Sequence, residues 1–224
     1  MGTKKWGGIG AGSVLGAAVV FFGVPRLLAP KPVRHYPEGV DTLAEAVSNC
    51  RSSGLSGWEL VAYAQRLVAR KFGHYSAWHL WETSPRAFRN GRGNARRYNG
   101  ALAMLLTELG FDVVMVHAAR VRQPERPWWS VGHTWLWVTH DGTRREVCAR
   151  RLDNEPGKVD FEPLTRVEPE RPWTGPVVEA ALRPFVAAAV WRATLTGRPV
   201  PDGVYKARED EVQPRGERTD SASE

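Results

Sequence analysis

Hydrophobic positions change period several times along the chain. Residues 6–25 carry no charged side chain and are flanked by Lys4, Lys5 and Arg26. A run of that length is enough to cross a bilayer as a helix. A proline-rich stretch over residues 27–40 then reads as a tether. A helix is expected from about Asp41 to Asn49, capped by Asp41 or Thr42 and broken by Gly54 and Gly57. From Trp58 onward Leu60, Val61, Ala64, Leu67 and Val68 recur at helical spacing. Ser84-Pro85 opens a short turn or helix through Phe88. The next helix runs from about Ala95 to Leu109, with Leu102, Leu105, Leu106 and Leu109 facing the core and Gly110 closing it.

Past Gly110 the composition turns to β-branched residues. Residues 111–121 predict a strand, and residues 122–131, with Pro124, Pro127 and adjacent Trp128-Trp129, a loop. His133 to Thr139 reads as a second strand, Asp141-Gly142 as a tight hairpin turn and Arg144 to Ala149 as a third strand. Residues 150–175 are loop-rich, residues 176–196 predict a last helix disturbed at Pro184, and the polar tail from about Asp202 reads as disordered. The expected organisation is an anchor over 1–30, a tether and first helix over 31–57, one α+β domain over 58–200 and a tail over 201–224.

The basic balance, formal charge +7 and pI about 9.8, comes from 25 Arg against 6 Lys. These residues are scattered apart from short pairs, and no nucleic-acid recognition motif accompanies them, so the charge reads as a solvated surface and no nucleic-acid partner is expected. Cys50 and Cys148 are too few for a disulfide scaffold or a zinc site of ordinary spacing, and their redox state stays open. His74, His79, His117 and His140 show no ligand spacing, so neither metal nor cofactor is expected.

Glycines at positions 8, 12 and 16 give the apolar run the small-xxx-small spacing that lets membrane helices pack closely. A cleaved signal peptide is the competing reading, but Pro30 directly after Ala29 makes a poor cleavage site. The favoured reading is an uncleaved single-pass anchor through residues 6–25. Lys4 and Lys5 on one side face Arg26, Lys31 and Arg34 on the other, so the positive-inside rule does not orient it. N-terminal anchors of this kind usually export the domain C-terminal to them, which leans toward an extracytoplasmic location.

The candidate chemistry lies in residues 93–148. A thiol enzyme needs a cysteine at a helix N-terminus, a histidine on a facing strand and a polar group on the next strand to orient the histidine. Gly93, Tyr98-Asn99, Leu105-Leu106 and Leu109-Gly110 are followed by Gly132, His133 and Trp135 in that order. On these residues, residues 58–165 resemble the transglutaminase-like superfamily, in particular bacterial domains of unassigned substrate, and are similar to the arylamine N-acetyltransferases. The resemblance implies a papain-like core, helices packed on a small antiparallel sheet, with a Cys-His-Asp site.

The nucleophile position implied by the resemblance holds Ala95, and a methyl group cannot attack a carbonyl. The orienting position falls on Glu146 or Cys148, which share a strand face. Arg96 and Arg97 open the helix against its dipole, an arrangement suited to an anion. The expected function is a membrane-anchored, catalytically inactive transglutaminase-like protein. His133 and Glu146 would be relic catalytic positions, and Asn94, Ala95, Asn99, Trp135 and Cys148 would line a cleft for a peptide, protein or small ligand. The alternative is an active hydrolase or acyltransferase using Cys148 or a water activated by His133. A third reading is a purely structural anchored domain that meets membrane or partner through Trp128-Trp129 and the basic surface.

Overall fold

The computed structural model describes residues 7–28, 39–124 and 126–207. The fold is α+β. Helix α1 (Gly7–Leu28) comes first, followed by α2 (Leu43–Ser52), α3 (Gly57–Lys71), α4 (Ser84–Asn90) and α5 (Ala95–Glu108). Their starts follow local chemistry. Thr42 and Glu45 form a reciprocal capping box on α2: the Thr42 hydroxyl accepts the Glu45 N–H at 3.2 Å, and Glu45 Oε2 accepts the Thr42 N–H at 2.8 Å. Pro85 sits in the first turn of α4. Gly91 closes α4 at φ +64°, and a Cβ there would meet the Lys71 carbonyl oxygen at 2.8 Å. Only glycine supplies both the left-handed backbone and the close approach.

Three long strands come next, β3 (Asp112–Gln123), β4 (Arg126–His140) and β5 (Thr143–Val147), after the short β1 (His74–Ser76) and β2 (Arg92–Gly93). Asp141 and Gly142 both have positive φ, 48° and 71°, between paired His140 and Thr143. That is the two-residue turn whose twist suits a hairpin. With β6 (Glu162–Pro163) the order is β5-β4-β3-β6, all antiparallel, and β7 (Glu168–Pro169) also pairs with β3. The buried faces of α2, α3, α4 and α5 meet this sheet in one core that includes Phe72, Phe88, Tyr98, Leu105, Leu106, Trp135 and Leu136.

A second, smaller core lies beside it. Helix α6 (Thr174–Thr196) buries Val186, Ala187 and Val190 against Trp78 and Leu80, and Phe21 of α1 packs on the same cluster. The Trp191 indole N–H donates to the Phe21 carbonyl at 3.0 Å, tying α1 to α6.

Several expectations are revised. Residues 122–131 are not a loop: β3 runs to Gln123, and β4 begins at Arg126 and carries Trp128 and Trp129. Pro127 sits where the ladder slips, among the residues skipped between the Arg122–Ser130 and Gln123–Arg126 pairs, the kind of place where a missing N–H is tolerated in a sheet, while Pro124 lies in the turn just after β3. The expected tail contributes β8 (Tyr205–Ala207), which pairs antiparallel with β1, while residues 208–224 lie outside the described residues. Pro184 lies within an unbroken α6. Helix α1 continues to Leu28, three residues past the expected apolar run, and most of the tether, residues 29–38, lies outside the described residues. Among the described residues, no helix is long and apolar enough to cross a membrane.

Candidate functional site

Helix α5 brings the site together. Asn94 caps it, its side chain accepting the Arg97 N–H at 3.2 Å, and Ala95 is the first helical residue. Asn99 is four residues on, so it shares the Ala95 face about 6 Å further along the axis. It is fully buried and acts as a cross-link. Its amide donates to the Thr134 carbonyl at 2.7 Å, and its carbonyl oxygen accepts the Ala149 N–H at 2.9 Å. One side chain thereby ties α5 to β4 and to the chain leaving β5.

His133 is paired in register with Ala118 of β3 and is 4% exposed. Its ring joins a three-ring cluster, stacked on Trp135 at 6.0 Å and edge-on to Phe161 at 4.7 Å, with Trp135 and Phe161 themselves 5.0 Å apart. Its Nε2 is 3.4 Å from Cys148 Sγ, which is also 3.4 Å from the Asn99 amide nitrogen. Of the two residues the sequence left open for the orienting position, Cys148 is the one against His133. Glu146 accepts instead from the Trp135 indole N–H at 3.2 Å.

Behind Cys148 the loop after β5 is also pinned. The Asn154 amide donates to the Cys148 carbonyl at 3.1 Å and to Asp160 at 3.0 Å, and the Gln65 amide of α3 donates to the Asn154 carbonyl at 2.6 Å. Arg150 pairs with Asp160. Cys148 and Asn99 are both 0% exposed. The structure therefore brings Asn99, His133, Trp135 and Cys148 into one buried polar knot, with half-buried Glu146 at its rim. Asn94 and Ala95 stand at its edge, half-buried at the start of α5.

The two arginines beside Ala95 do not offer an anion site. Arg96 pairs with Glu170 at 2.7 Å and lies 3.6 Å from Glu179, while Arg97 pairs with Glu179 and donates to the Leu80 carbonyl. The first turn of α6 lies directly on Arg96: a Cβ on Gly175 would overlap its guanidinium. Burial holds the Glu179 carboxyl above the usual range, against the pull of Arg97 and Arg96, and burial also lowers Arg97 despite Glu179. Both shifts say that desolvation outweighs attraction in this pair. Sequence reasoning missed Glu179; its signal was that it is the single carboxylate in helix α6.

Among the described residues no cluster of histidine, cysteine and carboxylate ligands has a metal-binding arrangement. His74 stacks on Tyr205 at 5.5 Å, and His79 shares a 2.6 Å hydrogen bond with Ser76. Trp128 is 82% exposed on β4. No family model matches this chain, and no curated protein matches it.

Proposed function

We propose that this is a catalytically silent domain of the transglutaminase-like type, held at a membrane, which binds a peptide, protein or small ligand at the half-buried start of α5. The observation that carries the reading is Ala95 as the first residue of a helix whose next turn touches Cys148 and the backbone beside His133. The helix dipole is in place there, and the side chain has no atom that can become a nucleophile. The remaining thiol of the knot has no exposed surface, the setting of a structural cysteine rather than a reactive one.

The 3.4 Å contact between Cys148 and His133 favours a second reading, an acyl-transferring or hydrolytic thiol just past β5 with His133 as base. Alkylation of the folded full chain with iodoacetamide, followed by peptide mapping, separates the two. The silent reading expects Cys148 to react only after unfolding. Labelling in the folded state faster than free cysteine would establish the thiol enzyme.

Membrane attachment is supported by the outward faces of two paired helices. Val14, Leu15, Val19 and Val20 of α1, and Val178, Leu182 and Phe185 of α6, are all at least 43% exposed. Apolar surface of this extent on adjacent helices marks a contact with lipid or protein. In this reading the domain lies on the extracytoplasmic side. The full chain is expected to stay in the membrane fraction through a carbonate wash, and Leu15→Asp with Val19→Asp is expected to release it. Release of the unmutated chain by carbonate would remove the anchor from the proposal.

A further inference from the structure

Away from the α5 site, a cavity of about 400 Å³ opens between α1, the segment before α4 and α6, a size that holds a small molecule. Its walls are largely apolar, formed by Phe22, Trp78, Trp81 and Val186 among others. Two charged side chains line it, Arg26 from α1 and Arg183 from α6. The Arg26 guanidinium lies 5.2 Å from the Trp81 ring centre. Among the described residues neither arginine has a carboxylate partner; Glu179, one turn before Arg183, is committed to Arg96 and Arg97.

A third feature points the same way. Trp78 is 3% exposed and lines the cavity, yet its indole N–H is buried with no acceptor. Native structures rarely leave a buried donor unmet, and one that does calls for an explanation. Two guanidinium groups without carboxylate partners line one apolar space, and the buried Trp78 forms part of its wall. Guanidinium groups bind carboxylate and phosphate oxygens with forked hydrogen bonds. The apolar walls select against a small hydrated anion and for one that carries a hydrocarbon chain.

We propose that this cavity binds a single-chain anionic amphiphile, an alkyl chain ending in a carboxylate or phosphate monoester, with the head between Arg26 and Arg183 and the chain along Phe22, Trp81 and Val186. The site lies where α1 joins α6, so a ligand there bridges the N-terminal helix and the domain. This assignment stands apart from the reading of the α5 site and survives its failure.

The test is calorimetric binding to the full chain in phosphatidylcholine nanodiscs, after subtraction of partition into empty discs. Dodecyl phosphate and laurate are the probes, and dodecanol and inorganic phosphate the controls. Saturable binding of one probe per chain is expected, weakened at least tenfold by Arg26→Gln or Arg183→Gln. Ala180→Trp, which fills the cavity from an exposed wall position, should abolish it while leaving the circular dichroism spectrum unchanged. Partition equal to empty discs, or affinity unaffected by all three variants, overturns the proposal. Dodecanol binding as tightly as dodecyl phosphate would refute the anionic head, and inorganic phosphate doing so would refute the alkyl chain.

Discussion

Cys148 Sγ, one residue past the end of β5, and His133 Nε2 of β4 lie 3.4 Å apart, and neither is open to solvent: the thiol is 0% and the imidazole 4% exposed. A histidine held by stacking and by a sulfur neighbour is already fixed in place, as a base must be. In the proposed reading, the accessible end of α5 at Ala95 is where a nucleophile would stand. Ala95→Cys would supply a thiol in the first turn of that helix, where the dipole favours thiolate. We expect the variant to be alkylated at residue 95 at least tenfold faster than at the native cysteines. Cys50 is no competitor, since burial pushes its thiol up to about 11. His133→Ala in the Ala95→Cys background should return the rate to that of an ordinary helix N-terminal thiol. Equal rates with and without His133 would show that the histidine does not serve this position.

Asn99 holds the knot to α5. Asn99→Ala removes the donor to the Thr134 carbonyl and the acceptor of the Ala149 N–H, both buried. Each orphaned group costs about 1–3 kcal/mol, so a loss of roughly 2–6 kcal/mol is expected in urea unfolding. Asn99→Asp should be as damaging, because a carboxylate oxygen would then face the Thr134 carbonyl. A change under about 0.5 kcal/mol would mean that water replaces the amide.

What was legible in the sequence was set by local chemistry. Thr42 with Glu45 and Asn94 with Arg97 start their helices within a turn, Asp141-Gly142 fixes a hairpin, and each can be read from a few adjacent residues. Two prolines within ten residues signal a loop at 122–131, whereas the structure keeps Pro124 to the turn after β3 and lets the β3–β4 ladder skip Pro127 at a register shift. The choice between Glu146 and Cys148 could not be made from alternation, since both point to one face. It was decided by Trp135, whose indole takes Glu146 and leaves Cys148 to His133. The pairing of Arg96 and Arg97 with Glu170 and Glu179 spans more than seventy residues, and only the packing of α6 over the start of α5 creates it.

That pairing makes its own forecast. Glu179→Gln leaves Arg97 buried with its charge uncompensated, while Arg96 keeps Glu170. Breaking one side of a buried pair costs about 3–5 kcal/mol, so the variant should unfold at markedly lower urea. Arg97→Met together with Glu179→Met should recover most of that loss, because burial weighs on both partners. A double variant no more stable than Glu179→Gln alone would show that the Arg97 bond to the Leu80 carbonyl, and not the charge pair, carries the contribution.

The last expectation concerns acid. Burial, with smaller contributions from the positive charges of Arg92 and Arg26, pushes the His79 imidazole down from 6.5 to about 3. In the unfolded chain it titrates near its ordinary value, so below about pH 6.5 the unfolded state binds a proton that the folded state refuses. Its contribution is therefore intact above pH 6.5 and is lost progressively as the pH falls toward 3. At pH 5 the loss is about 2 kcal/mol. The lowered carboxylates Glu45 and Asp153 act in the same direction, but mainly below their ordinary values of 4.5 and 3.8, under the range from pH 7.5 to pH 5. Urea unfolding at pH 7.5 and pH 5 should show the unmutated chain losing about 2 kcal/mol more than His79→Gln. If both lose the same amount, the Ser76 hydroxyl at 2.6 Å accommodates the protonated ring by accepting its Nδ1–H, and His79 is not the acid-sensitive group of the second core.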